Sequence, residues 1–405
     1  FLRRAGLGPF VATSLGAQQA VANAINREVA NFDAEQRKAL AATMPRKEIT
    51  VCLDETFLKL ICLVGMEPVS NFILVERSAQ RRDAETWSEA ISEAMEGLPV
   101  EIHQSTSDEG RALLAYVRGE LGVHHSPDLF HIQQDLRRST CGPLAAAVQS
   151  ARAAVARAME ARREQQEARR IWLTEPHGPG RPPGFDTHIA EARRAEAQAE
   201  ELLEVARSRQ RRAKEAILGL GQAYHPVDLA TGKRKSAAKV AKELERHFDE
   251  IEAVAREAQL SEHCHKGIAK ARRLLPAMLS TLRSFDDQVR LRIQSLELNA
   301  AERRQMAQRL VPAAYLDRLA DRARSRPARE ELRETAARMR CVAYESATSS
   351  GEMERLQRAD VVGVVRECVE IFQRSSSCVE GRNERLALHE RALGPLDPDK
   401  LKALT

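Results

Sequence analysis

The sequence is poor in aromatic residues and has no long apolar run. Aromatic residues make up 4% of the 405 residues, whereas charged residues make up 30%. This bias disfavours an aromatic-rich core and favours long, exposed helices. No stretch of about 18 apolar residues occurs, so we predict no membrane span. A signal-peptide pattern is also missing, and because the chain begins with Phe1 rather than Met we expect residues to precede it.

The cysteines show no metal-binding or disulfide spacing. None of the seven forms a CxxC pair, and several lie in apolar stretches. This distribution is typical of reduced, buried thiols in a cytoplasmic protein. The cysteines are Cys52, Cys62, Cys141, Cys264, Cys341, Cys368 and Cys378.

The charge balance permits a polyanionic partner without requiring one. The formal net charge is +5, from 63 Lys and Arg against 58 Asp and Glu. Basic clusters at residues 207–212, 233–235 and 270–273 are candidates for phosphate contacts. Exposed helices also carry such clusters without binding anything, so both interpretations stay open.

Residues 1–48 are predicted to be helical and to contain a possible helix-turn-helix DNA-binding element. Glycines near its start punctuate the segment, and Val21, Ile25 and Val29 recur at helical spacing as one apolar stripe. A short turn before an amphipathic helix is common in proteins, so an ordinary packing helix is the alternative.

From residue 49 the pattern changes to β-branched and apolar runs separated by short breaks. We predict the order β-β-β-α-β-α-β, in which short links make the first three strands an antiparallel meander. The fourth strand follows a helix and is expected to lie parallel to the first. The predicted strands are residues 49–58, 59–66, 70–77, 100–105 and a short run within 124–132, and the predicted helices are 83–97 and 109–121.

The remainder is predicted to be helical and rich in Ala, Arg and Glu. Two long helices, at about 142–172 and 187–218, are expected to form an antiparallel coiled-coil hairpin. Further helices are predicted at 236–259, 262–284, 286–309, 313–343 and 352–373, and a final helix runs from Glu380 to about Leu393.

Three acidic residues stand at distinctive places in this order. Asp54 lies inside the first strand between apolar neighbours, Asp108 follows the fourth strand, and Glu380 begins the last long helix. A buried carboxylate is costly unless a partner compensates it, and we expect divalent metal ions to be that partner.

The order of elements and acids resembles the RNase H-like fold of DDE transposases and retroviral integrases. Asp128-Leu129-Phe130-His131 resembles the [C/D]xxH signature of hAT- and Mutator-like transposases and of related bacterial ones. The segment from Ser377 to Asn383 resembles the S-x-x-E-x-x-N surroundings of the catalytic Glu in insertion-sequence transposases.

The resemblance implies an α/β protein with an RNase H-like mixed-sheet core, formed by residues 49–135 and 351–405. A large all-α, partly coiled-coil insertion, residues 136–350, would interrupt it. Asp54 would bridge two Mg²⁺ ions, replaceable by Mn²⁺, while Asp108 and Glu380 would each hold one. His131, Arg382 and Asn383 would contact DNA.

The implied activity is cleavage of DNA at transposon ends followed by strand transfer to target DNA. Such a transposase would act as a homodimer or larger synaptic complex in the bacterial cytoplasm, associated with the nucleoid and not with a membrane. Two other functions stay open: a non-catalytic, domesticated DNA-binding protein, and a coiled-coil scaffold.

Each site residue also has a simpler interpretation. Asp54 could be an exposed strand residue, and Asp108 the N-cap of the next helix. Glu380 could be an ordinary acid in a first helical turn, and His131 a structural histidine. Asn383 could steady Glu380, contact phosphate or be solvated. A one-residue step turns a strand side chain to the other face, and the resemblance favours Asp54 and Asp108 over the adjacent Glu55 and Glu109 because the family pattern has Asp at both places.

Overall fold

The computed structural model describes residues 14–178, 180–181, 183–345 and 350–405. It is a mixed α/β structure that divides into two compact units. The first comprises the chain up to Phe130 together with Pro226–Lys235 and Ala277–Thr405, and the second comprises His131–His225 and Ser236–Pro276. The second unit is smaller than the insertion predicted for residues 136–350, because the helices after Ala277 belong to the first unit.

The first unit contains one five-stranded sheet whose order is β3-β2-β1-β4-β5. Strands β1, β2 and β3 are antiparallel neighbours, whereas β4 lies parallel to β1 and β5 parallel to β4. The predicted meander and the predicted parallel fourth strand are confirmed. The strands are β1 (Lys47–Phe57), β2 (Ile61–Glu67), β3 (Phe72–Ala79), β4 (Val100–Ser107) and β5 (His124–Pro127).

Eleven helices lie wholly or mainly in the described part of the first unit. They are α1 (Leu15–Thr43), α2 (Ala84–Met95), α3 (Arg111–Tyr116) with a π-helical turn (Val117–Leu121), α8 (Leu275–Gln294), α9 (Ala300–Gln305) with a π-helical turn (Met306–Leu310), α10 (Val311–Arg322), α11 (Arg326–Glu345), α12 (Ser350–Leu356), α13 (Ala359–Ile371), α14 (Ser377–Leu393) and α15 (Pro398–Leu404).

The second unit is helical. It contains α4 (Leu129–Thr174, from His131 onward), α5 (Phe185–Ala223), α6 (Ala237–Glu257) and α7 (Glu262–Arg272). Arg162 of α4 pairs with Glu196 of α5, and Gln133 donates to the Ile217 carbonyl at 2.7 Å. Residues late in α4 therefore contact residues early in α5, and residues early in α4 contact residues late in α5. The two helices are antiparallel, as the hairpin prediction expects.

The fifth strand, His124–Pro127, lies within the predicted run, but two predicted boundaries were wrong. Helix α4 begins at Leu129 rather than near residue 142. The cause is Asp128, whose Oδ1 accepts the Phe130 N–H at 2.8 Å and so starts the helix. The predicted break between residues 284 and 286 lies inside α8, and the observed break lies between Gln294 and Asn299, which forms a capping box with Glu302.

One helix of the expected helix-turn-helix lies in the described part of the chain. Residues 15–43 form a single helix that carries the predicted apolar stripe, whereas the start of the element, residues 1–13, lies outside the described residues. The apolar stripe of Val21, Ile25 and Val29 is exposed rather than packed. The later half of α1 is anchored to α2 by Arg37, whose guanidinium donates to the Ala94 carbonyl at 2.8 Å.

The two faces of β1 have different surroundings. Ile49, Val51 and Leu53 point into an apolar core that also contains Trp87 of α2 and Leu113 of α3. Thr50, Cys52 and Asp54 alternate with them and point to the opposite face, which α13 and α14 cover. Among the described residues, no helix has the length and apolar character that crossing a membrane requires.

Candidate metal centre

Three side chains with metal-binding atoms converge beside the middle of the sheet. One ligand atom from each of Asp54, His131 and Glu380 lies within 4.8 Å of the other two. Asp54 comes from β1, His131 from the first turn of α4 directly after Phe130, and Glu380 from the first turn of α14. The structure thus brings together two of the three predicted acids and the histidine of the Asp128–His131 motif.

Asp54 is buried and fixed on both carboxylate oxygens. Asp54 is 7% exposed, which excludes the alternative that it is an exposed strand residue. Oδ1 accepts the Glu55 backbone N–H at 2.8 Å, and Oδ2 accepts the Asn383 Nδ2–H at 2.7 Å. Asn383 therefore steadies Asp54, rather than Glu380 as one alternative had it.

The amide oxygen of Asn383 is the unusual atom of this group. Asn383 is 9% exposed, and its Oδ1 has no hydrogen-bond partner among the described residues. Leaving a buried acceptor unpaired costs about 1–3 kcal/mol, so an additional group beside this oxygen is expected. A metal-bound water is a group of that kind.

Glu55, the acid next to Asp54, points to the other face. Its carboxylate accepts the Trp87 indole N–H at 3.2 Å and pairs with Arg82 at 3.0 Å. These contacts tie β1 to α2 and leave Glu55 outside the cluster. The alternation of strand side chains thus separates two adjacent acids into a structural one and a candidate ligand.

Asp128 joins the two helical turns that carry His131 and Glu380. It is 1% exposed, and while its Oδ1 caps α4, its Oδ2 accepts the Ser376 hydroxyl just before α14. A backbone bond from Leu129 N–H to the Arg374 carbonyl, 2.9 Å long, reinforces the junction. The motif pointed to Asp128, but nothing in the sequence singled out Ser376.

Asp108 is not part of the converging group, contrary to the predicted ligand set. Its Oδ1 accepts the Gly110 N–H at 2.9 Å, and α3 begins at Arg111 without a side-chain cap, so the N-cap alternative is also wrong. The following residue, Glu109, has a left-handed backbone with φ of 66°. The carboxylate of Glu109 contacts His125 Nε2 at 2.9 Å and thereby holds this turn.

Arg382 has a structural position rather than the predicted DNA contact. Its guanidinium binds both carboxylate oxygens of Glu76 on β3, at 2.6 and 2.7 Å, and also the Leu404 carbonyl. The Glu76 carboxylate is fully buried, so removing Arg382 would leave an unpaired buried charge. The pair fastens α14 and α15 to the sheet.

Several predicted phosphate contacts are likewise engaged within the protein. Arg212 binds Glu250 at 2.6 Å and Glu257 at 2.8 Å, and Lys270 binds Asp135 at 2.9 Å. Ion pairing of this kind explains much of the basic charge on the helices without a polyanionic partner.

The face that carries Asp54 is lined with polar side chains. The Thr50 hydroxyl donates to the Ile371 carbonyl at 2.7 Å, and Gln104 donates to the Gln373 carbonyl at 2.6 Å. Thr106 and Ser126, paired in register on β4 and β5, have buried hydroxyls without partners among the described residues.

The donor atoms suit a hard or borderline divalent cation. Carboxylates are the usual ligands of Mg²⁺ and Mn²⁺, and an imidazole shifts the preference toward Mn²⁺ and other transition metals. The unpaired Oδ1 of Asn383, whose amide nitrogen donates to Asp54, would accept a hydrogen bond from water held by such an ion. The arrangement is therefore compatible with the predicted cofactor, but with His131 where Asp108 was expected.

Comparison with known proteins finds one family and leaves its function open. Residues 306–405 match the model of a family of unknown function, DUF6399. The matched segment contains Glu380 and Asn383 but neither Asp54 nor His131, and it covers about a quarter of the chain. No curated protein and no solved structure matches the chain.

Proposed function

We propose that the protein is a DDE-type transposase, with an RNase H-like core that cleaves and joins DNA strands with the help of divalent metal ions. The observation that carries this proposal is the meeting of Asp54 and Glu380. Asp54 is on β1, the central strand of a sheet ordered β3-β2-β1-β4-β5. Glu380 is on α14, which packs over the face of the sheet to which Asp54 points.

The sheet supports the RNase H-like assignment by its order and directions. An antiparallel meander is extended by two parallel strands, which brings the end of β4 beside the middle of β1. In the fold that the sequence resembles, the first two acids occupy these places. Asp108 directly follows the last residue of β4, so it lies at this end of the strand. Its carboxylate accepts the Gly110 backbone N–H.

In this proposal Asp54 and Glu380 hold the metal, with His131 as a third ligand. Mg²⁺ or Mn²⁺ would supply charge stabilisation to the attacking and leaving oxygens of the phosphodiester. Asn383 holds the Asp54 carboxylate in place, and Asp128 holds together the two turns that present His131 and Glu380. Their task is to keep the ligands fixed when the negatively charged substrate arrives.

DNA is the proposed substrate, because the resemblance is to enzymes that act on transposon ends and target DNA. The net charge of +5 allows this partner. A homodimer or larger assembly would hold two DNA ends together. A cytoplasmic, nucleoid-associated location belongs to the same proposal.

The test is a cleavage and strand-transfer assay on labelled DNA carrying the element's terminal repeats, with Mg²⁺ or Mn²⁺. Asp54→Asn and Glu380→Gln should each abolish product, whereas Glu55→Gln, which changes the neighbouring acid on the other face, should retain it. Unaltered cleavage by either site variant would overturn the assignment. Metal-independent DNA binding without any cleavage would instead favour the domesticated DNA-binding protein.

A further inference from the structure

Two cysteine thiols meet where β1 and α14 pack together. Cys52 is fully buried on β1, and Cys378 is half-buried in the first turn of α14. The two thiols are near enough to influence each other, since a hydrogen bond between them raises the pKa of Cys52 and lowers the pKa of Cys378. The Cys52 sulfur also contacts the Ser375 carbonyl at 3.8 Å, so it faces the start of α14.

The surroundings keep this pair of thiols in a defined place. Cys52 belongs to an apolar cluster with Val64 and Val379, and Cys378 packs against the same cluster. Side chains in a packed core hold their positions, so the two sulfur atoms stay close to each other. Cys378 is also partly open to solvent, which gives a small oxidant access to one of the two thiols.

Each cysteine lies two residues before a proposed metal ligand. Cys52 precedes Asp54 on the same face of β1, and Cys378 precedes Glu380 in the same helical turn. A covalent bond between the cysteines would therefore fix the strand and the helix that hold the two acids. The proposed catalytic chemistry has no use for either thiol.

We propose that Cys52 and Cys378 form a reversible disulfide that joins β1 to α14 and regulates the neighbouring site. A hydroperoxide oxidises the accessible Cys378 to a sulfenic acid, its O–O bond breaking with release of water or an alcohol. The Cys52 sulfur then attacks the Cys378 sulfur, the S–O bond breaks, and a water molecule leaves with the remaining thiol proton. A dithiol reductant restores both thiols by exchange.

The expected consequence is inhibition, and this part rests on the proposed function. A disulfide bond is about 2.0 Å long, which is shorter than any contact between two thiols. Forming it draws the start of α14 toward β1 and moves Glu380 relative to Asp54. Displacing ligands in this way is expected to lower metal-dependent cleavage by at least about tenfold.

The bond itself can be tested by peptide mapping. Full-length protein carrying Cys341→Ser, which removes an exposed thiol, is treated with hydrogen peroxide, alkylated and digested with trypsin. We expect the peptides spanning residues 48–59 and 375–382 to appear as one linked species that dithiothreitol separates. Cys378→Ser should remove it, whereas Cys62→Ala, at a buried cysteine of the same apolar cluster, should leave it.

The outcomes separate this inference from the proposed function. A folded, oxidised protein that shows only sulfinic acid or no linked peptide would overturn the disulfide. A linked protein that cleaves DNA as fast as the reduced one would overturn the regulatory role. If the reduced protein cleaves no DNA at all, the proposed function fails while the peptide map still decides whether the bond forms.

Discussion

Alternating residues of β1 point to two opposite faces of the sheet, and the two faces have different functions. On one face, Val51 and Leu53 are fully buried among apolar side chains. On the other, Thr50 and Asp54 make hydrogen bonds to α13 and α14, so their energetic contribution depends on partners rather than on volume. The first face stabilises the fold, and the second fixes the groups proposed to bind metal.

This division explains why neighbouring acids have different roles. Glu55 is bound to Trp87 and Arg82 on the stabilising side, whereas Asp54 joins Glu380 on the polar side. The same comparison predicts which substitutions unfold the protein and which only impair its chemistry.

The largest stability effect is expected for Leu53→Ala on the apolar face. Leu53 is fully buried, so the lost methyl groups and the remaining cavity should lower the free energy of unfolding by about 3 kcal/mol. Fluorescence of the buried Trp87 during urea denaturation, in a Trp172→Phe background, measures it. A decrease in the free energy of unfolding of less than about 1 kcal/mol would show that the residues on this face do not form the main core.

The next effect concerns the link between Asp128 and Ser376. Asp128→Asn and Ser376→Ala should each reduce metal affinity and DNA cleavage by about 10–100-fold, because they loosen the turns that carry His131 and Glu380. The double variant should be little worse than the single ones, since both remove the same bond. Strictly additive losses would contradict a shared positioning role. Thr140→Ala, which removes another buried hydroxyl, is the control.

A pH effect of moderate size is expected from His124 on β5. Burial, with a smaller contribution from the charge of His125, lowers the pKa of His124 to about 4. The unfolded imidazole titrates near its ordinary value, so the unfolded chain binds more protons between about pH 6.5 and 4. Stability that is present above pH 6.5 is therefore lost as the pH falls through this window.

The loss should be about 2 kcal/mol, after allowance for partial exposure of the ring. His124→Gln should remove this part of the pH dependence, as measured by urea denaturation at pH 7 and pH 4.5. His177→Gln, at an exposed histidine, should behave as the unaltered protein does. An unchanged pH dependence in His124→Gln would show that this histidine is not the group responsible.

The smallest effects come from exchanging adjacent residues of β1. Thr50→Val leaves the Ile371 carbonyl without its hydroxyl donor and should cost about 1 kcal/mol. Val51→Thr buries an unpaired hydroxyl in the apolar core and should cost about 2 kcal/mol. A reversed ranking, measured by denaturation, would contradict the assignment of the two faces.

Much of the sheet was predictable because strand periodicity and short links constrain it strongly. The β1–β2–β3 meander and the parallel β4 follow from spacing and turn residues alone. The buried position of Asp54 was predictable too, since its neighbours Val51 and Leu53 are apolar.

The remainder depended on interactions that a linear pattern does not reveal. Asp108 is held by Gly110, within a turn that Glu109 and His125 maintain, and those contacts require the folded chain. Arg382 resembled a DNA contact by its place in a motif, yet it compensates the buried Glu76 from a distant strand. Ser376 acquires its role only because Asp128, far away in sequence, reaches it.

The most direct test of the central claim is Mn²⁺ binding measured by electron paramagnetic resonance on the purified full-length protein. We predict that the unaltered protein binds the ion, that Asp54→Asn and Glu380→Gln each weaken binding at least about tenfold, and that Glu55→Gln does not. Undiminished binding in both site variants, or equal weakening by Glu55→Gln, would contradict a metal centre on the polar face of the sheet.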